Sequence, residues 1–181
     1  MARVHNTLTA SDPFTSLTYG QELDVAATWT RPVAGDKFRE DATEDRVELL
    51  NAGGWGLYAN TFSPDSADYT VWGQFGVHEI APYNGDYIGL SARIVASGAS
   101  YDWYSIFYHQ RDGYGRKWLE LRRFDEGATT LLARVTPGAV LSDDDEVCLE
   151  VVTNGAGNVE VKGYVNDVEV LSHTDDTADK I

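Results

Sequence analysis

Apolar and polar residues alternate along three consecutive stretches of the chain: Gly85 to Ile94, Tyr101 to His109 and Arg116 to Phe124. Loops that are polar or contain glycine separate the stretches. Because successive side chains of a strand point to opposite sides of a sheet, each stretch is predicted to be a strand with one apolar face and one polar, aromatic face. Three such strands in a row predict an antiparallel sheet with one face on a core and the other face open.

The same alternation continues on both sides of this sheet. Further strands are predicted at 68–78, 129–135 and 146–151, and at 46–50 and 55–62, which Asn51 to Gly54 would join as a hairpin. Asn166-Asp167 lies between two valine-rich runs and predicts a two-residue hairpin turn, and Asn154 to Gly157 predicts another turn. About ten short strands and no long helical period predict an all-β fold, an antiparallel two-sheet sandwich of the jelly-roll kind.

The length and the net charge of the chain limit the number of domains and the classes of partner that are expected. The chain has 181 residues, which suits one domain, predicted at 12–181 behind an N-terminal arm at 1–11. It carries 14 basic and 29 acidic residues, a net charge of −15. Nucleic acids and anionic membrane surfaces are themselves densely negative, so neither is an expected partner. Residues 1–10 lack the apolar run of a signal peptide, and no run reaches the roughly 20 apolar residues of a membrane span, which predicts synthesis in a cytoplasm and no membrane insertion.

The predicted polar face of the sheet is the first candidate binding surface. Its flat aromatic rings would give a sugar an apolar platform, and its polar groups could bond the sugar hydroxyls. The same mixture is typical of protein interfaces, and a loop such as residues 31–45 folded across the face would make it purely structural. The members of this candidate face are Trp72, Gln74, Tyr87, Arg93, Trp118, Glu120 and Arg122.

The predicted loops offer a second candidate surface. Aromatic side chains on loops suit recognition, although turn formation alone would explain the Asn, Asp and Gly residues beside them. This loop rim consists of Tyr83, Asn84, Tyr101, Asp102 and Tyr114.

Catalytic and metal-binding patterns are scarce in the sequence. Cys148 is the single cysteine, and neither a Gly-x-Ser-x-Gly elbow nor a Cys/His metal spacing occurs. Cleavage of a glycosidic bond needs two carboxylates about 5–9.5 Å apart. Glu120 and Asp125 have an odd separation and would lie on opposite faces of an unbroken strand, although a pair from neighbouring strands stays open. No catalytic residue and no cofactor is therefore expected. Asp143, Asp144 and Asp145 could contribute oxygen ligands to a calcium ion, but three acids in a turn more often form a solvated loop.

Several short motifs follow one another in a characteristic order. They are Asp12-Pro13-Phe14, Trp29-Thr30, Arg46-Val47, Gly56-Leu57-Tyr58, Ala67 to Val71, Tyr87 to Arg93, Trp118 to Arg122, Cys148 to Val151, and Asn166 to Asp175. In this order they resemble the LamG-like branch of the concanavalin A-like lectin/glucanase superfamily, over roughly residues 12–180. Such modules recur in virion proteins of tailed bacteriophages and in secreted bacterial glycan-binding proteins.

The resemblance implies a concanavalin A-like jelly roll and a non-catalytic structural or binding module of a phage virion. Capsid decoration, minor capsid and tail-associated proteins are the implied roles, with other virion proteins as partners and cell-surface glycans as possible ligands. The alternative is a free-standing carbohydrate-binding module. A glycoside hydrolase is disfavoured because the Glu-x-Asp-x-x-Glu strand of the glucanases is missing. Such modules usually continue past Thr177 to Ile181 into another strand, so assembly contacts are expected near the termini.

Overall fold

The structure is a computed structural model, and it describes a defined part of the chain. The described residues are 29–33, 38–40, 47–49, 57–60, 66–74, 87–97, 100–109, 117–135, 141–142 and 145–181. The chain divides into two compact units, Arg3–Asp65 and Ser66–Ile181 with Met1–Ala2. Every regular element in the described ranges is a β-strand. Within those ranges, no helix has the length and apolar character needed to cross a membrane.

The unit Arg3–Asp65 contains two short antiparallel ribbons in its described part. β1 (Trp29–Val33) pairs with β4 (Leu57–Asn60), and β2 (Phe38–Glu40) pairs with β3 (Val47–Leu49). A hairpin between β3 and β4 was predicted, and this prediction is wrong, because β3 pairs with β2 and β4 pairs with β1. Asn and Gly in a connection permit a tight turn, but they do not choose the strand with which each neighbour pairs.

The unit Ser66–Ile181 contains two antiparallel sheets of four strands, as the alternating pattern predicted. One sheet has the order β12-β11-β10-β5, and the other is the meander β6-β7-β8-β9. The strands are β5 (Tyr69–Gln74), β6 (Tyr87–Ser97), β7 (Ser100–His109), β8 (Trp118–Asp125), β9 (Ala128–Val135), β10 (Glu146–Thr153), β11 (Val159–Val165) and β12 (Val168–Asp175). We call them the β5 sheet and the β6 sheet.

The two sheets pack face to face through one apolar core. Every second residue of the inner strands is buried, as in β10, where Val147, Leu149 and Val151 are fully enclosed. Each such side chain contributes roughly 1.5–3 kcal/mol relative to exposure. The buried core consists of Ala92, Tyr104, Ile106, Tyr108, Leu119, Leu121, Leu141, Val147, Leu149, Val151, Val159, Val161 and Leu171. The burial of alternate residues, with polar residues between them, is the arrangement of a β-sandwich.

Tight turns fix the register of the hairpins. Asn166 and Asp167 have φ values of 48° and 65°, so the predicted two-residue turn between β11 and β12 is confirmed. Asn and Asp tolerate this left-handed conformation better than other non-glycine residues. The predicted turn at Asn154 is also confirmed, because its side-chain Oδ1 accepts hydrogen bonds from the backbone N–H groups of Ala156 and Asn158.

Candidate functional site

The predicted open face is divided between the two sheets. Trp72 and Gln74 lie on β5, on the outer face of the β5 sheet, because Tyr69 and Val71 take the core side. Trp118, Glu120 and Arg122 lie on β8, on the outer face of the β6 sheet. Since the inner faces pack together, these two groups are on opposite sides of the sandwich. The alternation identifies a face within each strand, but it does not assign the strand to a sheet.

Arg93 belongs to neither outer face. The ladder between β6 and β7 shifts register between Ala92 and Val95, and Arg93 itself has a φ of 51°. This β-bulge turns the side chain into the edge of the sandwich, where it is 8% exposed. Its guanidinium donates to the backbone oxygens of Ala67 and Ile181, and to the side-chain oxygens of Asp68 and Thr153. Arg93 therefore has a structural role, in which it links these segments, and it is not an exposed member of the candidate face.

The other predicted site residues are only partly described. Tyr83, Asn84, Tyr114, Asp143 and Asp144 lie outside the described residues. Of Tyr87, the structure gives the backbone pairing with His109.

Three predicted residues, from the loop rim and the acidic run, have a defined place. Tyr101 and Asp102 are the second and third residues of β7, and Asp102 accepts a hydrogen bond from the N–H of Glu126 at 2.8 Å. Asp145 accepts from the N–H of Ser142 at 2.7 Å and from Nδ2 of Asn166 at 2.6 Å, so its oxygens hold turns in place. No group of three metal-ligating side chains occurs among the described residues.

A fully buried carboxylate organises the outer face of the β6 sheet. The side chain of Glu120 has no exposed surface. Nε of Arg122, two positions along the same strand, donates to Oε2 at 2.6 Å. Arg134 on β9 is the cross-strand partner of Glu120. Its Nε donates to Oε1 of Glu120 at 2.6 Å, and its Nη2 also contacts Oε1. Nε2 of His109 lies 3.0 Å from Oε2.

These contacts keep Glu120 ionised. Burial by itself raises the pKa of a carboxyl group, because it disfavours the charged form. Here the hydrogen bonds from His109, Arg122 and Arg134 outweigh burial and lower the pKa of Glu120 to about 2. Glu120 is therefore a fixed anion, whose hydrogen bonds orient the surrounding cations.

Trp118 contacts two of the same groups, His109 and Arg134. His109 is its cross-strand partner and stacks on the indole, with ring centroids 5.2 Å apart and an interplanar angle of 23°. The guanidinium carbon of Arg134 lies 5.0 Å from the centroid of the indole ring, a cation–π contact. We call this cluster the Trp118 face. It consists of His109, Trp118, Glu120, Arg122 and Arg134.

Two members of the Trp118 face were not singled out in the sequence. His109 ends β7 and Arg134 lies on β9, so neither is near Glu120 along the chain. The signal that would find them is the strand register, which pairs His109 with Trp118 and Glu120 with Arg134. Alternation alone does not give this register.

A second buried carboxylate, that of Asp175 at the end of β12, contacts Arg123 of β8 and is tied to the C-terminal segment. Asp175 is 1% exposed and accepts hydrogen bonds from Arg123 Nη1 at 2.8 Å, from the hydroxyl of Tyr104 at 2.7 Å and from the hydroxyl of Thr177 at 2.6 Å. Burial raises its pKa, but the hydrogen bonds of Thr177, Tyr104 and Arg123 outweigh burial and lower the pKa to about 2. The N–H of Ile181 donates to the hydroxyl of Tyr104 at 3.1 Å. The carboxylate of Asp175 thus joins the guanidinium of Arg123 and the hydroxyls of Tyr104 and Thr177, which is the arrangement of a structural anchor.

An acidic cleft of about 550 Å³ lies beside this anchor. Its described lining residues are Val95, Asp102, Asp125, Glu126, Asp179, Lys180 and Ile181. They include no aromatic ring on which a sugar could stack. The cleft is therefore a poorer sugar site than the Trp118 face, which carries an oriented indole.

The described chain thus defines an all-β protein with two packed antiparallel sheets and one aromatic, cationic cluster on an outer face. No protein-family model, curated protein or solved structure matches the chain.

Proposed function

We propose that the chain is a non-catalytic, lectin-like binding module of a tailed-bacteriophage virion, with a concanavalin A-like jelly roll as its fold. The resemblance of its ordered motifs to LamG-like modules supports this proposal, and the two packed antiparallel sheets agree with it. Other virion proteins are the proposed assembly partners, and a cell-surface glycan is the proposed ligand. The Trp118 face is the proposed ligand-binding surface.

The fixed orientation of Trp118 is the observation that carries the binding proposal. The partly exposed indole contacts both His109 and Arg134, and Arg134 is in turn held by the buried Glu120. A ring that is already immobilised loses little conformational entropy when a ligand stacks on it, so more of the contact energy appears as affinity. Trp and Arg are also the residue types that contribute most to binding energy at recognition surfaces.

The state of Glu120 favours binding over hydrolysis. A glycosidase acid needs a raised pKa so that it holds a proton at neutral pH. The pKa of Glu120 is instead lowered to about 2, and both of its oxygens accept hydrogen bonds from arginine. Glu120 is suited to holding the arginines, and not to donating a proton.

Glycan binding is tested by comparing two tryptophans on opposite sides of the sandwich. Screening the purified protein against a glycan array should identify ligands, and Trp118→Ala should weaken their binding at least tenfold, because stacking surface is lost. Trp72→Ala removes the same side chain from the outer face of the β5 sheet and should leave affinity unchanged. An array without hits, or equal effects of the two substitutions, would count against the Trp118 face.

The virion assignment has a separate test. Mass spectrometry of virions purified from the source of the gene should find the chain in stoichiometric amounts relative to the other structural proteins. Its absence from the particles, together with glycan binding that depends on Trp118, would instead favour the free-standing carbohydrate-binding module.

The glycoside hydrolase alternative places its acids in the cleft lined by Asp102, Asp125, Glu126 and Asp179. We expect no turnover when the protein is incubated with a panel of oligosaccharides. Release of reducing ends that is lost in Asp125→Asn or Glu126→Gln would overturn the non-catalytic assignment.

A further inference from the structure

The hydrogen bonds to Glu120 use only some of the N–H groups of Arg122 and Arg134. Glu120 accepts hydrogen bonds from the Nε atoms of both side chains, and it also forms an ion-pair contact with Nη2 of Arg134. In Arg122, Nη1 and Nη2 make no hydrogen bond with any described residue, and the same is true of Nη1 in Arg134. The carboxylate therefore fixes two guanidinium groups and leaves several of their N–H donors without a hydrogen bond to any described residue.

These donors are accessible to a ligand. The side chain of Arg122 is 28% exposed and that of Arg134 is 40% exposed, whereas Glu120 beneath them has no exposed surface. A ligand would therefore meet N–H donors on the outside of the cluster and the carboxylate on the inside. Guanidinium groups bind carboxylates with two parallel N–H···O bonds, and such charge-assisted bonds are stronger than neutral ones.

The local charge is opposite to that of the whole chain. The chain has a net charge of −15, but the Trp118 face holds two arginines and one glutamate, which leaves a formal charge of +1 with His109 neutral. At an ionic strength of about 0.15 M, charges farther than roughly 8 Å are largely screened. A bound group at this face therefore responds mainly to the two arginines and not to distant acidic residues.

We propose that the Trp118 face binds an acidic saccharide, with the sugar carboxylate on Arg122 and Arg134 and the pyranose ring against Trp118. This inference deepens the proposed function and rests on it, since it names the class of glycan. A saccharide fits better than an acidic peptide because the partly exposed indole supplies apolar ring surface beside the carboxylate-binding donors, and a uronic acid carries both complementary parts in one ring.

The test compares a charged saccharide with an uncharged derivative of the same saccharide. Isothermal titration of the full chain at about 0.15 M salt compares an oligogalacturonate with its methyl ester, which has the same rings without the charge. We expect the acid to bind at least tenfold more tightly than the ester. Arg134→Gln and Arg122→Lys should each remove most of that preference, the second because lysine keeps the charge but loses the planar pair of donors.

A matched control removes a cation from the opposite side of the sandwich. Lys162→Gln, on the outer face of the β5 sheet, makes the same charge change as Arg134→Gln and should leave the preference for the acid intact. Circular dichroism of each variant confirms that the sheets remain folded.

The other outcomes overturn the inference in distinguishable ways. Equal binding of acid and ester that still depends on Trp118 would overturn the charge-based inference while supporting the glycan-binding proposal. Binding of neither saccharide would overturn the inference, and together with a glycan array without hits it would overturn the glycan-binding proposal as well. Tighter binding of a hexaglutamate peptide than of the oligogalacturonate would overturn the inference in favour of an acidic protein partner.

Discussion

At the scale of the residue, the most informative side chain is Glu120. Removing a carboxylate from water costs several kcal/mol, and only good partners offset that cost. Glu120 has three partners on neighbouring positions of the sheet, His109, Arg122 and Arg134. The partners depend on Glu120 in return, because two arginines would otherwise lie side by side without a counter-charge.

The first prediction concerns this dependence. Glu120→Gln keeps the size of the side chain but removes the charge, so we expect a loss of about 2–4 kcal/mol in the free energy of unfolding. Urea denaturation at pH 7 measures it. Glu169→Gln, an exposed site on β12, is the control and should stay within about 0.5 kcal/mol of the parent. Equal midpoints for both variants would mean that Glu120 does not hold the cluster together.

The second prediction concerns a close approach between two neighbouring strands, β6 and β7, of the same sheet. A Cβ atom at Gly89 would lie 2.4 Å from the carbonyl oxygen of Ile106 and 2.4 Å from Cδ1 of Phe107. The carbonyl belongs to the neighbouring strand, so it cannot move without disturbing the ladder between β6 and β7. Gly89→Ala should therefore lower the unfolding free energy by roughly 1–3 kcal/mol.

Its control is a glycine in open space. A Cβ atom at Gly155 meets nothing within 4 Å, so Gly155→Ala should be nearly neutral. Thermal unfolding of the two variants decides the matter, and a melting temperature for Gly89→Ala as high as that of Gly155→Ala would contradict the close approach.

At the scale of the element, the sequence predicts where a strand lies along the chain better than it predicts the strands with which that strand pairs. The alternation correctly gave the inner residues Leu119 and Leu121 of β8, because the period of two follows from the backbone of a single strand. It did not separate Trp72 from Trp118, since the choice of sheet depends on long-range pairing. It also missed the bulge at Arg93, where one inserted position reverses the face of the side chain.

The third prediction concerns the turn between β11 and β12. Both Asn166 and Asp167 have positive φ, and glycine is the preferred residue at the second position of such a turn. Asp167→Gly should therefore stabilise the protein by up to about 1 kcal/mol, whereas Asp167→Val should destabilise it by about 1–2 kcal/mol, because a β-branched residue resists this conformation.

The two substitutions at Asp167 act as controls for one another, since both remove the carboxylate. Chemical denaturation monitored by tryptophan fluorescence should move in opposite directions for the two variants. Shifts of the same sign would show that the lost carboxylate, and not the backbone conformation, decides the stability.

At the scale of the molecule, two buried carboxylates link strands that are far apart in sequence. Glu120 joins β7, β8 and β9, and Asp175 joins β12 to Tyr104 of β7 and Arg123 of β8. Glu120 lies on the outer side of the β6 sheet, whereas Asp175 brings the β5 sheet against the inner side of β8. Both are ionised in the folded protein, so their effect on stability depends on pH.

The fourth prediction follows from the pKa of each carboxylate. Folding lowers the pKa of Glu120 from an ordinary 4.5 to about 2, and that of Asp175 from 3.8 to about 2. The unfolded chain therefore binds more protons in acid than the folded protein does. The stability from these groups is fully present above about pH 5 and is lost as the pH falls towards 2, on the order of 1–3 kcal/mol for each group.

Urea midpoints measured from pH 6 to pH 2 should fall across this window. The double variant Glu120→Gln, Asp175→Asn should start from a lower stability at pH 6 and show a shallower fall, because both linked protonation steps are gone. A fall of unchanged steepness in the double variant would assign the acid sensitivity to other carboxylates. It would also contradict the lowered pKa of Glu120 and Asp175, since two groups that stay ionised only in the folded protein must steepen its response to acid.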